Sequence, residues 1–167
     1  IDGGRIAGVA TNGDGVDTDG ARVIDAQGGW LLPGLWDVHV HLMHPDPPPP
    51  TIPERVTRYG LNAMEGLTEG GVTGIRSAGV EHWIDVAWRE AFNSGGYLGP
   101  RIHASGYFLT TTGGHAIRWP FARQCDGPVG FARAVREQIM HGVDHIKLNL
   151  TGGIMGPDWD RHWQLPL

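Results

Sequence analysis

"LLPGLWDVHVHL", residues 31–42, opens on a Pro-Gly turn and continues as an apolar strand carrying one aspartate and two histidines. Side chains alternate across a strand, so Asp37, His39 and His41 are expected on one face and Val38, Val40 and Leu42 on the other. Histidines two positions apart on a strand stand about 6–7 Å apart at Cα and can both reach one metal ion. Neutral imidazole suits zinc and other borderline divalent cations. The plainer alternative is a pair of hydrogen-bonded core histidines. The Pro-Gly turn and the aspartate two residues upstream tip the reading toward a metal.

Outward from this strand, the pattern strand, loop, helix recurs from residue 33. "MHPDPPPP" reads as a stiff extended loop, because proline excludes both helix and ladder. Thr51 and Glu54 have capping-box spacing with Pro53 in the first turn, predicting a helix to about Glu69 that Gly70 and Gly71 stop. "VTGIRSAG" is the second strand. "EHWIDVAWREAFNS" is the second helix, with Ile84, Ala87, Trp88 and Ala91 facing inward and Gly95–Gly96 ending it. "PRIHASGYFL" reads as one continuous third strand. Asp126 is the expected N-cap of a third helix whose buried stripe is Phe131, Val135 and Ile139, ending at Gly142. "VDHIKLNL" is the fourth strand, turning Ile146, Leu148 and Leu150 toward helices and His145, Lys147 and Asn149 inward. Four such units in series predict an α/β fold on a parallel sheet, closed or open.

The first 32 residues differ. "RIAGVA", "ARVIDA" and "GGWLL" read as short strands around the acidic turn "TNGDGVDTDG". Asp14, Asp17 and Asp19 do not match EF-hand spacing, so a solvated hairpin loop is expected there. Composition bounds the function. The 167 residues are 40% hydrophobic and 19% charged, as in ordinary globular domains, with 27 glycines that fit many short connections. A formal charge of −5 and the lack of a basic run argue against nucleic acid. No apolar run approaches the roughly 18 residues that span a bilayer. Cys125 is the single cysteine, so nothing requires an oxidising compartment and a cytoplasmic location is expected. The chain opens on Ile1, which leaves a preceding signal peptide open.

Lys147 is the remaining oddity. An interior ammonium repels a metal and costs several kcal/mol to bury unpaired. It could snorkel, pair with a carboxylate, or be carboxylated by carbon dioxide to an anionic carbamate able to bridge two cations; two-metal hydrolytic sites hold ions about 3.5–4 Å apart.

"LLPGLWDVHVHL" resembles the P-G-x-x-D-x-H-x-H signature of the amidohydrolase superfamily, and "DHIKLNLTGG" resembles the lysine-bearing fourth strand of its imidazolonepropionase-like and Xaa-Pro/Xaa-Arg dipeptidase branch. "GVTGIRSAG", "GPRIHASGY" and "TTTGGHA" fit the same branch, so the likeness covers nearly all of residues 1–167. It implies a (β/α)8 TIM barrel beside a small β-sandwich, with residues 1–32 part of the sandwich and 33–167 the first four β/α units. The implied reaction is hydrolysis of an amide, a dipeptide or a cyclic amide, by metal-activated hydroxide. His39 and His41 would be ligands of the more buried metal. Lys147, carboxylated, would bridge to a second, giving two zinc ions per complete site. Asp37 would orient a histidine ligand, as such neighbours commonly do. His115, after the third strand, is a candidate substrate contact, its alternative being a loop histidine bonded to backbone.

The resemblance also sets what is expected elsewhere. Two later histidines and the general acid/base aspartate are expected beyond Leu167, so the chain reads as an N-terminal part, inactive by itself. Expected partners are a small-molecule substrate and, for assembly, further copies of the chain. An esterase or phosphotriesterase on the same barrel, and a barrel without chemistry, stay open as alternatives. Arg76 points from the second strand, but Ser77 replaces the aspartate that commonly follows it in the family. Trp119, Trp159 and Trp163 could wall a pocket. His44, His82, His103, His141 and His162 read as ordinary surface or core histidines.

Overall fold

The computed structural model describes residues 1–11, 15, 18–43 and 51–153. Asp14 and Asp17 of the acidic turn, most of the proline loop with His44, and Trp159, His162 and Trp163 lie outside the described residues. The chain divides into two units, Ile1–Pro33 and Gly34–Leu167.

In Ile1–Pro33 the strands expected at "RIAGVA" and "ARVIDA" are not formed. Among the described residues this unit has one antiparallel bridge, between Asp2 and Arg5. Ile6, Val9, Val23, Ile24, Trp30 and Leu31 are all exposed. Short strands hold together only when an apolar face is covered, and that condition is unmet here.

The Gly34–Leu167 unit is mixed α/β. Strand β1, Leu35–Val40, is followed by α1, Ile52–Thr68, and β2, Val72–Ser77. A short 3₁₀ turn, Glu81–Trp83, leads into α2, Ile84–Asn93. Then come β3, Arg101–His103, β4, Phe108–Thr110, β5, Ala122–Gln124, and α3, Gly127–Met140. The first three strands form a parallel sheet in the order β1-β2-β3, and β4 pairs in parallel with β5.

Local chemistry accounts for the helices. Thr51 caps α1 as expected: its hydroxyl accepts from the Glu54 amide at 3.4 Å while the Glu54 carboxylate accepts from the Thr51 amide at 3.1 Å. Val40, Tyr59, Ala63, Ile75, Ile84, Phe92 and Ile102 form one core between the sheet and α1 and α2. Each large side chain so buried is worth roughly 1.5–3 kcal/mol. Trp88 lies across Gly60, where a Cβ would fall 2.0 Å from its ring, and its indole donates to the Val56 carbonyl at 2.8 Å. A second core joins Leu109, Cys125, Phe131 and Ala134, with Val135 and Ile146 packed against it.

Both inward faces are rotated from the expected stripes. In α2, Ile84 is buried as expected, but Ala87 is exposed while Asp85 and Phe92 are buried. In α3, Ile139 is exposed, and Ala134 and Gln138 line the inner face beside Phe131. The reason is polar: Asp85 and Gln138 both turn inward to meet backbone amides.

Those amides also divide the expected third strand. The Asp85 carboxylate accepts from the Ser105 and Gly106 amides at 2.8 and 2.9 Å, and the Gln138 carbonyl accepts from Tyr107 at 3.0 Å. A donor satisfied by a side chain is lost to a ladder, so the strand breaks into β3 and β4. The fourth expected strand is correspondingly reduced to a single parallel bridge, Leu109 with Leu148. It still runs beside β3 and β4, since Asp144 donates to the Ala104 carbonyl at 2.8 Å and Asn149 to that of Leu109 at 2.9 Å. Strand β5 was not expected, because three residues with two polar side chains give no strand pattern.

Candidate functional site

His39 lies in β1 and His41 immediately after it. β1 seats closely on β2: Trp36 lies over Gly74, where a Cβ would fall 2.3 Å from the indole. The pairing slips by one residue between Asp37, opposite Ile75, and Val40, opposite Ser77. This extra residue is a β-bulge, which interrupts strict alternation and re-aims side chains. The His39 and His41 rings end up side by side, with centroids 5.3 Å apart at an interplanar angle of 63°. Asp37 Oδ1 accepts from the His39 backbone amide at 3.0 Å, so this oxygen holds the main chain from which His39 projects.

The group that orients an imidazole is a backbone carbonyl. His41 Nδ1–H donates to the Gly79 carbonyl at 3.2 Å, which puts the lone pair on Nε2. Phe121 stacks on the His41 ring at 5.4 Å and 29°, and Trp119 meets it edge-on at 5.9 Å. Both aromatics come from the excursion between β4 and β5. Trp119 thus touches His41 of the pair; Phe121 and Gly79 carried no sequence signal beyond a glycine closing "SAG".

Lys147 is partly buried in the segment that follows α3. Ile146 packs on the α3 side, as alternation predicts, whereas Leu148 and Leu150 are exposed. Charge links Lys147 to β1 and β2. The His39 imidazole is held below its ordinary pKa by burial first, then by the positive charges of Lys147 and Arg76, against the opposing pull of Asp37. Burial, then Arg76, likewise lowers the Lys147 ammonium. Arg76 is fixed by a 2.7 Å bond from Nε to the Val38 carbonyl. His145 is also lowered, chiefly by burial and then by Arg76. Its Nδ1 and the Asn149 Nδ2 are buried with no hydrogen-bond partner among the described residues. Lys147 and Arg76 therefore lie near enough to His39 for their charges to act on it, and His41 adjoins His39 at the carboxyl end of β1. The His115 Nδ1–H donates to the Gly152 carbonyl at 3.2 Å.

The donor types suit a divalent cation: two adjacent imidazoles, His39 with its pKa lowered and His41 with its tautomer set by a carbonyl, and a lysine whose ammonium is lowered by burial and by Arg76. Among the described residues no three His, Cys, Asp or Glu side chains group closely enough to enclose an ion. No described helix is long and apolar enough to cross a membrane.

Comparison with known proteins bears on this arrangement. The model of the amidohydrolase family matches residues 30–166. Ochratoxinase of Aspergillus niger is 27% identical over 156 aligned residues, covering 77% of this chain and 32% of that protein. A prolidase crystallised with N-methylphosphonate-L-proline superposes with a TM-score of 0.67 at 29% identity, over 85% of this chain and 39% of that one. A Xaa-Pro dipeptidase with methionine bound in its active site gives a TM-score of 0.64 at 28% identity, over 80% and 37%. The chain therefore spans about a third of the curated relative.

Proposed function

Because the chain belongs to the amidohydrolase family, we propose that the full-length protein hydrolyses amide bonds of small molecules, a dipeptide or a cyclic amide. The parallel strands of this chain are then the first part of a (β/α)8 barrel. His39, His41 and carboxylated Lys147 would hold the metal centre, with two zinc ions in the complete site. The observation that carries this reading is the imidazole pair at 5.3 Å with His41 tied through Nδ1 to Gly79. The dipeptidase, prolidase and ochratoxinase neighbours support an amide substrate.

When bound, the cations would supply an activated water and a polarised scissile carbonyl. The chain's own residues have distinct tasks. Gly79 keeps the His41 proton on Nδ1. Asp37 fixes the backbone from which His39 projects. Phe121 and Trp119 cover one side of His41 and exclude water from it. Burial and Arg76 favour the neutral Lys147 amine, whose lone pair attacks the carbon of carbon dioxide; the nitrogen then releases a proton to leave the carbamate. Three ligands do not complete the set, so residues 1–167 alone are proposed to be inactive.

The test is a substrate panel of dipeptides, lactams, esters and phosphotriesters on full-length protein purified with zinc. Hydrolysis of at least one amide is expected, with loss of both zinc and turnover when His39 and His41 are replaced by alanine. Turnover confined to esters or phosphotriesters, or none on the whole panel, overturns the assignment.

A further inference from the structure

We propose that His115 is a positioning residue: it holds the end of the Lys147 segment through Gly152. The proposal rests on the hydrolase reading given above for the role of Lys147. "TTTGGHA" and "LTGG" are two glycine-bearing loops far apart in sequence, and the structure joins them at one histidine. The His115 Nδ1–H donates to the Gly152 carbonyl at 3.2 Å. Its ring also occupies the space beside the next residue, since a Cβ on Gly153 would fall 1.9 Å from Nδ1 and 2.5 Å from Cε1. Gly153 has φ of +75°, so a side chain there is disfavoured on conformational grounds as well. One glycine thus offers its carbonyl and the other its bare Cα to the same imidazole.

The excursion carrying His115 is built to aim it. Gly114 donates to the Thr111 carbonyl at 2.9 Å, and a Cβ on Gly114 would fall 2.4 Å from Thr110 Oγ1. Ala116 takes φ of +56°, an uncommon conformation for a residue with a side chain, and its carbonyl accepts from Trp119 at 2.9 Å. The root of the excursion is anchored, because Asp126 accepts from both the amide and the hydroxyl of Thr112, at 3.0 and 2.5 Å. From this base one arm places Trp119 and Phe121 against His41, while the other places His115 on Gly152. The Lys147 segment is pinned lower down, where the Lys147 carbonyl accepts from Leu109 at 2.8 Å and Asn149 donates back at 2.9 Å. His115 supplies a tie beyond that point. The excursion therefore touches both segments that bear the proposed ligands.

The experiment compares His115→Ala and His115→Asn with wild type in the full-length protein. It uses hydrogen exchange of residues 149–153 together with kcat and KM on the best amide substrate. Asparagine is the conservative variant, since its Nδ2–H can replace the Nδ1–H donor. Expected for His115→Ala are faster exchange in 149–153 and a fall in kcat of about 10- to 100-fold with KM little changed, the usual cost of losing a supporting partner. His115→Asn should restore most of both. Unchanged exchange overturns the proposal, as does a raised KM at unchanged kcat, the mark of a substrate contact. Faster exchange with kcat unaltered overturns it too, leaving a purely structural loop bond. Should wild type turn over no amide, the hydrolase reading fails by itself, and the exchange arm still decides whether His115 holds the loop.

Discussion

At position 79, a hydrogen in place of a side chain lets two aromatic rings close over the peptide that holds His41. Gly79 has φ of +137°, open to glycine almost alone, and a Cβ there would lie 2.8 Å from Phe108 and 3.1 Å from Phe121. Gly79→Ala should therefore cost about 1–3 kcal/mol from overpacking alone. It should also shift the carbonyl that accepts from His41 Nδ1. Chemical denaturation of the wild type and variant measures the first effect, and an unchanged midpoint would show that the rings yield freely. The histidine pair was readable because H-x-H is written in side chains. Its orienting group was not, since a backbone carbonyl is common to every residue and only the fold selects one. Asp37 shows the converse: its position was readable, but its bond to the His39 backbone amide was not.

At the scale of elements, the capping box and first helix followed from local chemistry alone, and the structure keeps both. The third strand did not, because its interruption depends on side chains 20 and 31 residues away in sequence. Apolar patterning through "PRIHASGYFL" says nothing about which amides Asp85 and Gln138 will capture. Asp85 is fully buried and accepts from Ser105, Gly106 and Val86. Asp85→Ala should strand those donors at about 1–3 kcal/mol each. Burial raises the Asp85 carboxyl above its ordinary value of 3.8, outweighing the amides of Gly106 and Ser105 and the Ser77 hydroxyl that favour the charged form. With the folded pKa above the unfolded one, the folded state binds the proton more tightly. Its contribution to stability is complete below pH 3.8 and is lost as pH rises through the folded pKa. Asp85→Asn keeps an acceptor without titrating. The stability of wild type relative to this variant should accordingly fall from acid to neutral pH, as read from urea midpoints. A difference that grows toward neutral pH would mean that the amide donors, not burial, govern this carboxyl.

At the scale of the Gly34–Leu167 unit, the parallel strands leave apolar surface at both sides of their run. β1 pairs with β2 on one side, and its Leu35, Trp36 and Val38 are 57%, 47% and 55% exposed. At the other side, Leu148 and Leu150 are 40% and 51% exposed on the segment that bridges β4. Parallel strands are ordinarily covered on both faces, and a strand with a bare edge and apolar side chains is a template for another chain. The charge of −5 on 167 residues opposes association only weakly at physiological salt, where fields decay within about 8 Å. Residues 1–167 expressed alone should therefore self-associate with rising concentration, as sedimentation velocity would record. Val38→Lys places a charge on the β1 edge without entering either core, and should shift the distribution toward monomer. Association that persists undiminished in that variant would move the contact away from β1. A wild-type chain that stays monomeric at high concentration would show that these edges do not recruit a partner.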